Sequence, residues 1–274
     1  MTENAVDFEN KVVVVTGGAN GIGRALCEQF ARAGAKVAVV DLEEDSAVAL
    51  ATLIGGLGLP ADVSCEEDIR WVVKETEHVL GPIDVFVSNA GVAFGDGPDW
   101  MAASAPDENW QASWQINVMA HVYAARAVVP NMIQRGGGYL VNVASGAALL
   151  CQVGDAVYST TKTAALGFSE SLAITHGDDN IDVSVVCPLY VDTRMTQGGR
   201  GVSGSDPMMS AEDAAIAVLA GMREKSFLIM PHEVLEKYSQ RKAADYDGWI
   251  SGMRGMRRRL LEHNPDYDYR KRKA

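Results

Sequence analysis

The sequence has no long apolar run, no cysteine cluster and no excess of basic charge, and each absence removes a class of function. The uncharged stretch from Gly136 to Val153 is interrupted by Asn142, Ser145 and several glycines. Nothing therefore approaches the roughly 18 consecutive apolar residues of a membrane span, and no membrane partner is expected. Met1 to Asn10 is polar and acidic, without the basic start and apolar centre of a secretory leader. Cys27, Cys65, Cys151 and Cys187 are scattered, with no C-x-x-C pair and no histidine at metal-ligand spacing. That pattern argues against a metal centre and for a reducing compartment, the cytoplasm. A formal charge of −12 is ill suited to nucleic acid and suits small-molecule partners. The charge is uneven: residues 254–274 carry eight Lys/Arg against three Asp/Glu, whereas the remainder carries 16 basic against 33 acidic groups.

What is present is an alternation of buried strands and amphipathic helices. Lys11–Thr16 contains four valines in a row, the signature of a strand covered on both faces. A glycine-rich turn follows, Gly17-Gly-Ala-Asn-Gly-Ile-Gly23, then a helix with Ile22, Leu26 and Phe30 on one side and Gly34 as its stop. Val37–Val40 is a second buried strand, closing on Asp41. The unit is βαβ, which implies parallel strands and a right-handed crossover.

The pattern predicts further strands near Leu57–Ala61, Ile83–Ser88, Tyr139–Ala144, Ile181–Cys187 and Phe227–Met230. Helices are predicted over Glu43–Ile54, after a Ser64/Glu67 capping box, over Asp107–Arg135, around Tyr158 to His176, and over Ala211–Arg223 behind a Ser210 cap. Met195–Pro207, rich in Gly and Ser, reads as a mobile flap. Tyr238–Leu260 is polar, with Trp249, Ile250, Met253, Met256 and Leu260 at helical intervals, an apolar stripe that calls for burial against something. No boundary divides the chain. The expected architecture is α/β: a single-domain, Rossmann-like, doubly wound parallel sheet of about seven strands over residues 1–274, with 231–274 an extension packed on it.

Three features carry chemistry. The turn, Gly17-x-x-x-Gly21-x-Gly23, departs from G-x-G-x-x-G. It still offers small residues and a helix N-terminus to a diphosphate. Asp41, at the end of the second strand, can accept hydrogen bonds from both hydroxyls of an adenosine ribose, and it would repel a 2′-phosphate. No Lys or Arg lies between Gly17 and Gly23, so NAD(H) is favoured over NADP(H). Finally, Tyr158 and Lys162 are four residues apart and share a helix face. A lysine held near a phenol favours the phenolate and would bring its pKa down from about 10 towards the working range.

With these placed, the chain resembles the classical short-chain dehydrogenases/reductases from about Lys11 to Met230. The resemblance rests on Thr16-Gly17-x-x-x-Gly21-Ile22-Gly23, Asp62-Val63, Asn89-Ala90-Gly91, Asn117, Ser145, Tyr158-x-x-x-Lys162 and Pro188 to Thr193, all in family order. It implies Tyr158 as general acid/base on the substrate oxygen, with Ser145 hydrogen-bonding that oxygen. Lys162 would bind the nicotinamide ribose and tune Tyr158, and Asn117 would hold a water linking Lys162 to solvent. Asn20 and Ile22 in the turn and Leu42 beside Asp41 join the implied cofactor contacts. Asp62-Val63 would meet the adenine, Asn89–Gly91 would line the trough, and Pro188, Val191 and Thr193 would hold the nicotinamide.

The implied activity is reversible hydride transfer between NAD(H), on its B (pro-S) face, and a small or medium, largely apolar secondary alcohol or ketone, in a homotetramer or dimer. Substrate choice would lie in Ala93–Ala103, Ala147–Asp155 and Tyr190–Met209, where Phe94, Leu149, Leu150, Val153, Tyr190, Met195, Met208 and Met209 would make an apolar pocket. An extended-type epimerase or dehydratase, and a non-catalytic NAD(H)-binding regulator, remain the alternatives. The chain departs from the family pattern twice. Leu189 follows Pro188 where glycine is usual, placing a side chain near the cofactor, and more than forty residues follow Pro231, able to cover the cleft or build a subunit contact.

Overall fold

A strand covered on both faces needs apolar groups on alternate sides, and the four valines supply them. In the computed structural model, which describes residues 6–97, 101–196 and 208–263, they form β1 (Val12–Thr16). Val13 and Val15 enter the core on one face, Val12 and Val14 on the other. Then come α1 (Gly21–Arg32), β2 (Lys36–Asp41), α2 (Glu44–Ile54), β3 (Leu57–Pro60), α3 (Glu66–Val79) and β4 (Val85–Ser88). The second half holds α4 (Asp107–Trp114), α5 (Ala120–Gln134), β5 (Gly138–Val143), the short α6 (Gly146–Leu150), α7 (Ala156–His176), β6 (Ile181–Val186), α8 (Ala211–Arg223) and β7 (Leu228–Ile229). Two helices, α9 (Glu233–Ala244) and α10 (Tyr246–His263), complete the described chain.

The strands form one parallel sheet in the order β3-β2-β1-β4-β5-β6-β7. Leu26 and Phe30 of α1 and Val218, Leu219 and Met222 of α8 cover one face. Val72 and Val73 of α3, Val128 and Met132 of α5 and Leu172 of α7 cover the other. The chain winds outward from β1 to β3 and then returns to β4 beside β1. A crevice therefore opens at the carboxyl ends where the winding reverses. Thr16, Asp41, Ser88 and Val143 end their strands at that edge.

The observed elements depart from expectation in two places. Ser64 and Glu67 form no capping box: α3 starts at Glu66, and the Ser64 hydroxyl donates to Asp62 Oδ1 at 2.7 Å instead. The helix expected over Asp107–Arg135 is interrupted by a π turn at Gln115–Met119, which separates α4 from α5. The tail forms two helices, α9 and α10, with Asp245 N–H the last capping donor of α9. Its stripe is only partly covered, Ile250 being 47% exposed. Most of the expected flap, residues 197–207, lies outside the described residues.

Candidate active site

The crevice is a cleft of about 850 Å³. At one end lies the glycine turn. Gly17 (φ +60°) and Gly21 (φ +53°) hold left-handed backbone, which only glycine adopts without strain. A Cβ on Gly17 would come within 2.9 Å of Ala90 Cα, and one on Gly21 within 3.0 Å of Thr193 Cγ2. The turn is therefore pressed between the β4 end and the loop after β6. Asn89 locks it there: its Nδ2 donates to the carbonyls of Thr16 (2.9 Å) and Gly17 (3.1 Å). The Thr16 hydroxyl in turn accepts from Asn89 N–H at 3.0 Å.

Gly17, Asn20, Gly21 and Ile22 line the cleft, whereas Gly23 does not. Gly23 is buried beneath the turn, where a Cβ would strike the Gly17 carbonyl oxygen. Its lack of a side chain lets α1 pack against the turn.

Asp41 is fixed by main chain: Oδ2 accepts from Ala19 N–H at 3.0 Å and Oδ1 from Glu43 N–H at 3.2 Å. Leu42 beside it is 73% exposed at the cleft mouth. Asp62 and Val63 line the same end, with Asp62 Oδ1 accepting from Ser64 N–H at 2.9 Å. Across the mouth, Arg194 reaches Glu43 at 3.7 Å.

At the other end, α7 presents Tyr158 and Lys162 to the cleft, and Ser145 follows β5 in extended backbone as the cap of α6. Ser145 Oγ accepts from Ala147 N–H at 3.1 Å and is hydrogen-bonded with the Tyr158 phenol. Burial pushes Tyr158 up to about 12, against a downward pull from Ser145, with Asp155 and Cys187 adding to the rise. Burial also lowers Lys162 to about 8. The Lys162 ammonium lies 5.7 Å from the phenol ring centroid and donates to the Val143 carbonyl at 2.8 Å. The expected lowering of the tyrosine is thus outweighed by desolvation. Gly91 keeps this floor bare, since a Cβ there would sit 3.2 Å from both Lys162 Nζ and Asn117 Oδ1.

Asn117 sits in the π turn and does not line the cleft. Its side-chain amide pairs with both main-chain groups of Val92, at 2.9 Å each, and donates to the Thr161 hydroxyl at 3.1 Å. π turns recur at functional sites, and this one ties the Val92 main chain to α7.

Pro188, Val191 and Thr193 line the cleft beside Asn89, Ala90 and Gly91. Leu189 lies over Gly146 and joins Ala144, Ala148 and Leu235 in a small apolar cluster. Of the eight apolar residues expected to build a substrate pocket, only Tyr190 and Met195 are among those lining the cleft. Leu149 and Leu150 pack in the cluster around Leu235 instead.

Four polar residues near the site carried no motif. Gln152 and Asp155 line the cleft next to Tyr158. His232, 5% exposed, accepts from Leu189 N–H at 3.2 Å on Nδ1, which leaves the proton on Nε2, 3.2 Å from the Tyr190 carbonyl. His121 is buried one turn beyond Asn117, held down to about 3 by burial and then by the charge of Lys162. Only its spacing from Asn117 could have drawn notice.

This cleft, with an acid at the end of β2 and a Ser, Tyr and Lys around one point, is that of a nucleotide-linked oxidoreductase. The chain belongs to the short chain dehydrogenases, whose family model matches residues 11–201. It is an oxidoreductase acting on alcohols or ketones. A 1-deoxy-11-beta-hydroxypentalenate dehydrogenase of Streptomyces exfoliatus is 36% identical over 232 residues, 81% of this chain and 83% of the relative. An NAD-dependent glycerol dehydrogenase of Listeria innocua is 32% identical over 191 residues, 69% of this chain and 74% of the relative. Among solved structures, a short chain dehydrogenase/reductase from Burkholderia phymatum in complex with NAD superposes with a TM-score of 0.78 at 22% identity. That match covers 88% of this chain and 96% of the other, and shows the shared fold. No described helix is long and apolar enough to cross a membrane.

Proposed function

We propose that the chain catalyses reversible hydride transfer between NAD(H) and a secondary alcohol or ketone, with Tyr158 as general acid/base. The observation that carries this is the joint placement of Tyr158, Ser145 and Lys162 with Asp41 and the glycine turn in one cleft. The residues fit the cofactor: the floor at Gly17, Gly21 and Gly91 admits no side chain, and Asp41 is already oriented by two amides. When bound, the nicotinamide supplies or accepts the hydride.

The chain's own groups do the rest. Asp41 takes the ribose hydroxyls and repels a 2′-phosphate, so NAD(H) is preferred; the nearby Arg194 is already engaged by Glu43. Ser145 and Tyr158 hold the substrate oxygen between two hydroxyls. In reduction the phenol donates its proton to that oxygen, and in oxidation it must first lose it. Asn117 acts by fixing Val92 and α7. Lys162 orients the ribose and stabilises the phenolate when it forms. The chain works as a cytoplasmic homo-oligomer; free cysteines and the 84% exposed Ile174 on α7 support that reading.

The test is a screen of secondary alcohols with NAD⁺ and NADP⁺, repeated with Tyr158→Phe. Turnover with NAD⁺ is expected to exceed that with NADP⁺ and to rise with pH, because a phenol raised to about 12 is protonated at neutrality. Tyr158→Phe is expected to cost about 10²–10⁴-fold in kcat while leaving NAD⁺ binding nearly intact. An equally active Phe variant would sink the mechanism, and a preference for NADP⁺ would sink the cofactor reading.

A further inference from the structure

The loop after β6 joins the two ends of the cleft, and Pro188, Leu189, Tyr190, Val191 and Thr193 all line it. At the catalytic end the Pro188 carbonyl accepts from Gly146 N–H at 2.7 Å, next to Ser145. At the other end Thr193 lies against Gly21 of the glycine turn. Between them the main chain is held by a side chain of the tail. Leu189 N–H donates to His232 Nδ1 at 3.2 Å, which puts the ring proton on Nε2, 3.2 Å from the Tyr190 carbonyl. One buried imidazole thus takes the N–H of one residue and the C=O of the next.

His232 is the N-cap residue of α9, yet its side chain makes no capping bond to that helix. One turn on, the buried Leu235 packs in the apolar cluster that the Leu189 side chain joins. The start of α9 therefore grips Leu189 twice, by its amide through His232 and by its side chain through Leu235. The two departures of this chain, a leucine after Pro188 and a long tail after Pro231, meet at this one point. His232 itself does not line the cleft, so any effect it has on the site passes through Leu189 and Tyr190.

We propose that His232 is a positioning residue for hydride transfer, and that through it the tail sets where the nicotinamide and the alcohol meet. This rests on the hydride-transfer reading above. A buried amide deprived of its acceptor is costly, so a loop released from His232 moves until Leu189 N–H finds another partner. That movement shifts Pro188 and Val191 at the nicotinamide end, and with Pro188 the bond to Gly146 beside Ser145. The adenosine end is untouched, because Asp41 and the glycine turn are held by other main chain. The loss therefore falls on the hydride step and spares cofactor affinity.

The test replaces the imidazole in the full chain. His232→Leu fills the space without a polar atom, and His232→Gln keeps an amide able to make one of the two bonds. Three quantities are read: hydrogen exchange of the Leu189 amide without cofactor, NADH affinity from its nicotinamide fluorescence, and the single-turnover rate of NADH formation with the best secondary alcohol of the screen above. His232→Leu is expected to speed Leu189 exchange by about tenfold or more. It is expected to slow the hydride step by about ten- to hundredfold and to change NADH affinity by less than about twofold. His232→Gln is expected to fall between it and the wild type in both exchange and rate. A leucine variant with the wild-type rate, a slowed step with Leu189 still protected, or a loss borne by NADH affinity alone overturns the assignment. If the leucine variant does not fold, the glutamine variant decides: faster exchange at an unchanged rate overturns the assignment, and a joint change upholds it. Absence of turnover by the wild type with every alcohol overturns the hydride-transfer reading, and this assignment with it.

Discussion

The two ends of the cleft are built by different means. Around Gly17 and Asp41 the positions come from main chain close in space and fixed by strand ends. Asn89 bonds to the β1 end, Asp41 takes two amides, and glycines meet backbone that cannot move aside. Around Ser145 and Leu189 the positions come from side chains far along the sequence. His232 holds the loop at Leu189, Lys242 donates to the Leu149 carbonyl at 2.5 Å, and the Trp249 indole donates to the Leu150 carbonyl at 3.3 Å. The first arrangement is rigid and independent of what the enzyme acts on. The second can change with a few substitutions in the tail, which is where relatives of one fold differ in substrate.

The sharpest way to break this contrast is to add one methyl at each end. In Gly23→Ala the new Cβ would meet the Gly17 carbonyl oxygen, main chain locked by Asn89. Overpacking of this kind is expected to cost about 1–3 kcal/mol of stability. The displaced turn is expected to cost about a hundredfold in kcat/KM. In Gly146→Ala the Cβ would lie 2.6 Å from Leu189 Cδ2, the end of a flexible side chain. That variant is expected to lose under about 1 kcal/mol, since a methyl can rotate away where a carbonyl cannot. Denaturant melts and steady-state rates on both variants check the pair, and equal losses would erase the distinction.

The same contrast explains how much the sequence disclosed. Four valines and the alternation after them specify a parallel sheet because burial on both faces leaves no other reading of β1. The glycine turn and Asp41 are legible because main-chain geometry restricts residue type at those positions. The capping box failed because Ser64 has Asp62 two residues away, a competitor for its hydroxyl that spacing rules do not weigh. The π turn in the Asn117 helix leaves no mark in composition. His232 was not legible at all, since it acquires its meaning from partners distant in sequence, and Gln152 and Asp155 were legible only as members of the segment Ala147–Asp155, with no individual signal. Of the apolar pocket residues, Tyr190 and Met195 line the cleft, whereas α6 places Leu149 and Leu150 in the cluster around Leu235 of α9.

Lys162 lies beside Tyr158 in the cleft, and its burial has a sign that can be measured. Its pKa is lowered from 10.5 to about 8 in the folded chain. Between those values the unfolded chain binds more protons than the folded one, so stability rises with pH through that window. Below pH 8 the buried ammonium is a standing cost. Lys162→Met is therefore expected to abolish useful turnover while raising stability by roughly 1–3 kcal/mol at neutral pH, less whatever the lost bond to Val143 contributed. The gain is expected to shrink as pH climbs from 8 towards 10.5. A destabilised variant, or a gain that does not depend on pH, would show that the lysine is not held at a cost for function.

The smallest expected effect lies at the tail, where the comparison can be sharpened without touching the cleft. A five-residue helix such as α6 is too short to hold itself. Its last carbonyls are met by Lys242 of α9 and Trp249 of α10, and its first residue follows Ser145. Trp249→Phe keeps a ring in place and removes only the donor, at an expected cost of about 0.5–1.5 kcal/mol. If the tail holds Ser145 through α6, KM for the alcohol should rise about two- to threefold, which is under about 1 kcal/mol by the usual conversion. KM for NAD⁺ should stay the same, because Asp41 and the glycine turn are fixed by main chain at the far end. A parallel rise in both constants would instead mean that the tail supports the whole cleft, and that its two ends are not independent.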